Sequence, residues 1–181
     1  MPDTCSVPVN GTPTRVNALS LFQKDIKPAW EDEVNSQGGV MKIDFKSKLA
    51  FVQTIWDKLV LSIVSIEFDG VDMISGVRIC DKSEFNREGL GIFRIEVWTK
   101  FNSTNPDMVN ALKAHLETEY VRDMMIEDPD TKPLGARTNE NNPADWIKKF
   151  TNIGDPGAQQ RRGPPPADRG GRGGHNAPKQ A

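Results

Sequence analysis

Apolar positions along the chain fall into short alternating runs and two longer helical stripes, the pattern of a sheet with helices laid against it. Leu19–Phe22 is a short apolar run that ends in a turn at Lys24–Asp25, and Met41–Phe45 alternates apolar and polar, as a half-buried strand does. Between them, Asn35-Ser36-Gln37-Gly38-Gly39 is turn chemistry, because paired glycines accept the positive φ that closes a strand connection. The clearest helix is predicted over 47–66. There Val52, Trp56, Leu59, Ile63 and Ile66 recur at steps of three and four and make one buried stripe. Leu61 and Val64 lie on a neighbouring stripe, so the apolar arc is wider than one sheet contact needs. Met73–Cys80 and Ile92–Thr99 predict an antiparallel hairpin across a polar loop. Phe93, Ile95 and Val97 then face one way, and Arg94, Glu96 and Trp98 the other. A second helix is expected from Pro106, with Asn105 as N-cap and Asp107 favourable to the helix dipole. Its buried stripe is Val109, Leu112 and Leu116. Met124–Ile126 reads as one further short strand.

The pattern weakens after Pro129, where Trp146, Ile147 and Phe150 suit a single apolar helical turn docked on the body. Residues 1–18, rich in Pro, Thr, Asn and small side chains, show no periodicity and read as a flexible lead-in. Beyond Gly154 the text changes to Gln159-Gln160-Arg161-Arg162, a run of prolines at 164–166, and Arg169-Gly170-Gly171-Arg172-Gly173-Gly174. Such composition cannot bury enough apolar area to offset chain entropy, so 154–181 is expected to be a disordered Arg/Gly/Pro-rich tail. One folded domain remains over 19–153, without internal repeats. Strands separated by helices of this size, with hairpin-like links, predict an α+β fold built on a largely antiparallel sheet.

Composition narrows the function classes. The 181 residues carry a formal net charge of −2, so no global basic field draws the chain onto nucleic acid, and any RNA contact must be local. Mean hydropathy is −0.54, and the polar tail accounts for much of that. The 2 cysteines, Cys5 and Cys80, fit no metal-ligand spacing, and a reduced intracellular setting is the simplest reading. The longest apolar stretch, Ile55 to Ile66, is interrupted by Asp57, Lys58, Ser62 and Ser65, so no membrane span is expected. Nor does the N-terminus have the basic-then-apolar layout of a secretion signal. A cytoplasmic protein is expected, with passage to the nucleus left open. No phosphate loop, nucleophile with its base or metal cluster can be assembled from these residues, so neither catalysis nor a cofactor is expected.

The most specific chemistry lies in Lys24-Asp25-Ile26-Lys27-Pro28-Ala29-Trp30-Glu31-Asp32-Glu33, followed by Gly38-Gly39. This segment resembles the signature of the translation initiation factor 4E family, and the likeness continues through Trp56, Phe68-Asp69, Gly76 and Val97-Trp98-Thr99, covering roughly 19–125. The resemblance implies a curved antiparallel sheet backed by helices on its convex face, here incomplete at its N-terminus. It also implies that Trp30 stacks on 7-methylguanine of the messenger RNA cap, that Glu31 accepts hydrogen bonds from the base edge, and that Trp98 lies near the methyl group. Physical chemistry agrees: N7-methylation makes guanine cationic, and cation–π attraction adds about 0.5–2 kcal/mol to stacking on indole. One carboxylate can accept both donors of the base edge as a bidentate pair. In a regular strand adjacent residues point to opposite faces, so Trp30 and Glu31 acting together require a loop. Asp32 and Glu33 read as solvated surface charges, and Trp56 as core.

For the cap phosphates, the resemblance implies Arg94 and Lys82, with Arg87 as a substitute because the Ser83–Gly91 loop is longer than the family's usual link. Arg78, Cys80 and Lys82 share a strand face by parity, and so do Arg94 and Trp98. Two family features are replaced or lacking: Val40-Met41 stands where Arg-Trp is common after Gly-Gly, and a second stacking tryptophan upstream has no counterpart. Trp146 is the spare two-ring aromatic that could cover the pocket mouth instead. The wide first helix matches the family surface that receives a helical motif from scaffold or repressor proteins, with Leu61 and Val64 at apolar positions and Asp57 where an apolar residue is usual. Two functions follow: binding of capped mRNA in translation initiation or its regulation, or a protein-interaction regulator with weak or no cap binding. The Arg-Gly tail suits weak RNA contact, a solubilising linker, or a site for arginine methylation or partner docking equally.

Overall fold

The computed structural model describes residues 6–9, 12–64, 70–83, 90–134 and 141–153, without the side chains of 6–15 and 62–64. The expected tail at 154–181 and the loop residue Arg87 lie outside the described residues. Strands β1 (Ser6–Val9) and β2 (Thr12–Arg15) pair antiparallel as a separate two-stranded ladder. The stretch expected as a flexible lead-in therefore contains paired backbone, which sequence periodicity did not reveal in runs of four residues broken by Pro8 and Pro13.

The main sheet is six-stranded and antiparallel. Its path runs β3 (Ala18–Phe22), β5 (Ile74–Asp81), β6 (Gly91–Thr99), β4 (Gly39–Ser47) and β7 (Lys132–Pro133), with β8 (Thr151–Asn152) also on β4. Alternation decides its two faces. Met41, Ile43 and Phe45 of β4, Val77 and Ile79 of β5, and Phe93, Ile95 and Val97 of β6 form one face and are all buried. Against that face pack Val52, Ile55 and Leu59 of α2 (Leu49–Val64) and Leu112 and Leu116 of α3 (Pro106–Leu116). Trp56 is half-buried against the same core, as the stripe predicted. The expected helices and the central strands are all present, and the fold is α+β, an antiparallel sheet with helices on one face.

Two local expectations are corrected. Met124–Ile126 is helical: α3 runs on through a π turn at Glu117–Val121 into α4 (Arg122–Glu127). A π turn inserts a residue into the helical repeat, so Tyr120 and Val121 are both buried in succession and the regular spacing after Leu116 is lost. Gly38-Gly39 does not supply positive φ; among the described residues only Gly70, at 111°, and Asp25, at 67°, do so. Both glycines instead permit close approach. A β-carbon on Gly38 would collide with the Thr99 carbonyl oxygen, and one on Gly39 with the Phe150 ring, which stacks on Phe101 at 5.7 Å.

The weakly patterned segment after Pro129 forms an interrupted edge to β4. Leu134 N–H donates to Asp44, Lys148 N–H to Lys42 and Ile153 N–H to Gly38, each to the carbonyl oxygen. Between Leu134 and Lys148 lies α5 (Pro143–Trp146), capped by the Asn142 side chain accepting from Ala144 N–H. It delivers Trp146 into the core at 1% exposure. Trp146 is thus a core residue, unable to cover a pocket mouth, which corrects that expectation.

Candidate functional site

The chain leaves β3 at Phe22 and enters β4 at Gly39, and everything between is loop and one short helix, α1 (Glu33–Ser36). Asp32 N–H donates to Ala29 O at 3.3 Å, closing a four-residue turn whose two central residues are Trp30 and Glu31. This is the loop setting that their joint action demands. Trp30 is 47% exposed, a large area for an indole on a soluble surface, and Glu31 is exposed beside it.

Two side chains hold that turn. The Asp32 carboxylate accepts from Lys27 N–H at 3.0 Å and from Val34 N–H at 3.1 Å, so it caps α1 and ties back the strand of chain that leads into the turn. The Lys27 N–H, followed by those of Val34 and Asn35, holds its carboxyl below the usual carboxylate range. Asp32 is therefore a clamp rather than the solvated surface charge expected from the acidic run. Asn35 was not singled out in the sequence. It is 0% exposed, and its Nδ2 donates to the carbonyls of Lys27 at 2.7 Å and Ala29 at 2.9 Å. The fixed loop is preorganised, which spares ordering entropy when a ligand binds. Replacing Asn35 with alanine removes its hydrogen bond to each of these two carbonyls, which keep only the backbone donors Ala29 N–H and Asp32 N–H. It is expected to cost about 1–3 kcal/mol of stability and to loosen the Trp30 turn, read as a lower denaturant midpoint and raised hydrogen exchange at residues 27–34.

The turn stands at the end of the sheet where four residues align across the strands on the face away from the helices: Phe22, Gly76, Trp98 and Val40. Gly76 admits the Phe22 ring, which meets Trp98 edge-on at 5.6 Å. Val40 and Ile153 complete this small apolar cluster. Trp98 is 7% exposed, and its Nε1 donates to Glu96 at 3.2 Å, so its ring is fixed at one edge. The next row is Ser20, Arg78, Glu96 and Lys42, and the one beyond it Ala18, Cys80, Arg94 and Asp44.

Arg94 is not free on this face. Its Nε donates to Asp44 Oδ1 at 2.6 Å and a terminal nitrogen to Oδ2 at 2.9 Å, a bidentate pair that raises its pKa further. Lys82 is exposed just past β5, its N–H on Ile92 O at 2.7 Å. The Cys80 thiol is pushed up by burial and then by Glu96, which suits a packing residue. On α2, Leu61 is 65% exposed, Asp57 accepts from Gln53 at 3.0 Å, and Val64 lies in the helix with its side chain outside the described residues. Among the described residues no cluster of three ligating side chains could hold a metal ion, and no helix is long and apolar enough to cross a membrane.

Comparison with known proteins matches residues 10–127 to the family model described as eukaryotic initiation factor 4E. The eukaryotic translation initiation factor 4E of Eremothecium gossypii is 26% identical over 125 residues, 67% of this chain and 52% of that protein. Factor 4E1 of Drosophila melanogaster is 35% identical over 81 residues, 44% of this chain and 29% of that one. The chain spans about half the length, or less, of the curated relatives it matches. Among solved structures, C. elegans initiation factor 4E-3 with the 4E-binding protein Mextli and a cap analogue aligns at 28% identity and a TM-score of 0.45, over 56% of this chain and 54% of that one. The Ascaris suum counterpart with the 7-methylguanosine cap aligns at 22% identity and 0.46, over 68% and 66%.

Proposed function

Because the chain belongs to the eukaryotic initiation factor 4E family, we propose that it binds the 7-methylguanosine cap of messenger RNA and acts in translation initiation or its regulation, by binding rather than catalysis. The observation that carries this reading is the Ala29–Asp32 turn, which offers an exposed indole and an exposed carboxylate from adjacent residues on a loop fixed by Asp32 and Asn35. Trp30 stacks on the cationic base, Glu31 accepts from its edge, and Trp98 walls the site at the sheet end. The cap-binding domain is 19–153, and cytoplasm is the compartment where capped messages are translated. A mobility-shift comparison of capped and uncapped RNA of one sequence tests the reading. Preferential retardation of the capped strand is expected, and equal retardation contradicts it.

A second reading has its own support. Lys58 joins α2 to α4 through Asp123 at 3.0 Å and Glu127 at 2.7 Å, while Leu61 and Ile126 on the same helices stay exposed. Exposed leucine beside such a braced pair suits a helical motif from a scaffold or repressor protein, which lays an apolar face into a groove. Leu61→Glu is expected to abolish capture of such a peptide with a stability change within about 0.5 kcal/mol. Undiminished capture by the folded variant would move the partner surface elsewhere. A chain that captures the peptide but ignores the cap is the protein-interaction regulator.

A further inference from the structure

We propose that Arg78, rather than Arg94, receives the anionic end of the ligand; this rests on the cap-binding reading and names the cation of that same site. The first ground is what each arginine already holds. Arg94 turns one edge of its guanidinium, Nε and one terminal nitrogen, onto Asp44, and that carboxylate offsets its charge. Arg78 sits directly across from Glu96, yet forms no ion pair with it, and its Nε is buried without a hydrogen-bond partner. A buried guanidinium nitrogen left unpaired is costly in a folded protein, and an incoming phosphate oxygen would satisfy it with a charge-assisted bond.

Position is the second ground. Trp98 occupies the row at the turn end of the sheet, Arg78 and Glu96 the next row, and Arg94 the one after. Successive residues on one face of a strand are about 7 Å apart, so Arg78 stands about 7 Å and Arg94 about 14 Å from the base-binding end. The group attached to a base held by Trp30 and Trp98 meets Arg78 first. Charge is the third ground. On this face β4, β5 and β6 present four cations, Lys42, Lys46, Arg78 and Arg94, against two carboxylates, Asp44 and Glu96, in a chain of net charge −2. The local surplus is positive where the chain as a whole is negative, as an anion site requires.

The test is calorimetric titration of the full chain with 7-methylguanosine and with its 5′-triphosphate. The ratio of the two affinities reports the phosphate contribution alone. Arg78→Gln is expected to lower that ratio about tenfold or more, the loss of one charged hydrogen-bonding partner. The comparison variant is the double change Asp44→Asn with Arg94→Gln, which removes the pair without stranding one buried charge; it should keep the larger part of the ratio. Thermal unfolding checks that each variant folds. If Arg78→Gln does not fold, Arg78→Lys replaces it, keeping the charge but losing the fork, and a severalfold drop is expected. A ratio unmoved by the Arg78 variants, or one lost only in the double variant, overturns the proposal and leaves cap binding standing. A wild-type chain that binds neither compound overturns the cap-binding reading and this assignment with it.

Discussion

Replacing Trp30 with alanine is expected to weaken binding of 7-methylguanosine triphosphate about five- to hundredfold, since base–aromatic stacking contributes about 1–3 kcal/mol. The folded state should hardly notice. Trp30 is 47% exposed, and the hydrogen bonds that shape its turn come from backbone and from Asp32 and Asn35, not from the indole. Glu31→Ala should act in parallel, because a charged acceptor is worth about 1.5–3 kcal/mol to the donors it meets. Asn35→Ala differs in kind: it should lose stability and binding together, because it acts on the loop rather than on the ligand. Fluorescence quenching by cap analogue, with chemical denaturation on the same samples, separates the cases. A Trp30→Ala variant that loses stability in proportion to binding would make the indole a packing residue.

The largest effect on stability should come from the other end of the chain. Trp146→Ala is expected to cost about 3–5 kcal/mol, the range for emptying a large buried aromatic site. That is a large share of a typical domain's stability. Trp146 is 1% exposed within the core cluster, and the segment carrying it bonds to the β4 edge on both sides of α5, so the loss should free that edge as well. The measurement is the urea midpoint, with cap quenching followed on the folded fraction. A shift below about 1 kcal/mol contradicts a core role, since a fully buried indole cannot be removed that cheaply.

The same residues show how much of the fold was legible. Central strands β4, β5 and β6 could be read because their alternation is long and one face is wholly apolar. Helix α2 could be read because Val52, Trp56 and Leu59 repeat at helical steps. The region after Pro129 could not: β7 and β8 are two residues each, held by backbone hydrogen bonds that no side-chain pattern encodes. Met124–Ile126 misled because the π turn breaks the repeat just before it and Ile126 is 70% exposed.

At the site, the loop that joint action of Trp30 and Glu31 would require was legible from Pro28, and the turn is present. Asp32 carried a usable signal, an aspartate directly before a helix start, which the surrounding acidic run obscured. Asn35 carried none, since its two carbonyl partners depend on how the loop folds back. Arg94 looked like a free cation until β4 set Asp44 opposite it. Of the four tryptophans only Trp30 is exposed: Trp56 is half-buried, and Trp98 and Trp146 are buried. The proposed stacking therefore rests on one exposed indole among the described residues.

The central claim is recognition of the methylated base itself, and a paired titration of the wild-type chain with 7-methylguanosine triphosphate and with unmethylated guanosine triphosphate tests it most directly. The two ligands share phosphates, ribose and base edge, and differ by the methyl group and the positive charge it confers. With Trp30 as the stacking ring, a cation–π difference of about 1–2 kcal/mol predicts roughly five- to thirtyfold tighter binding of the methylated compound, and Trp30→Ala should erase that preference. Equal affinity for the two, or a preference that survives in Trp30→Ala, would contradict it.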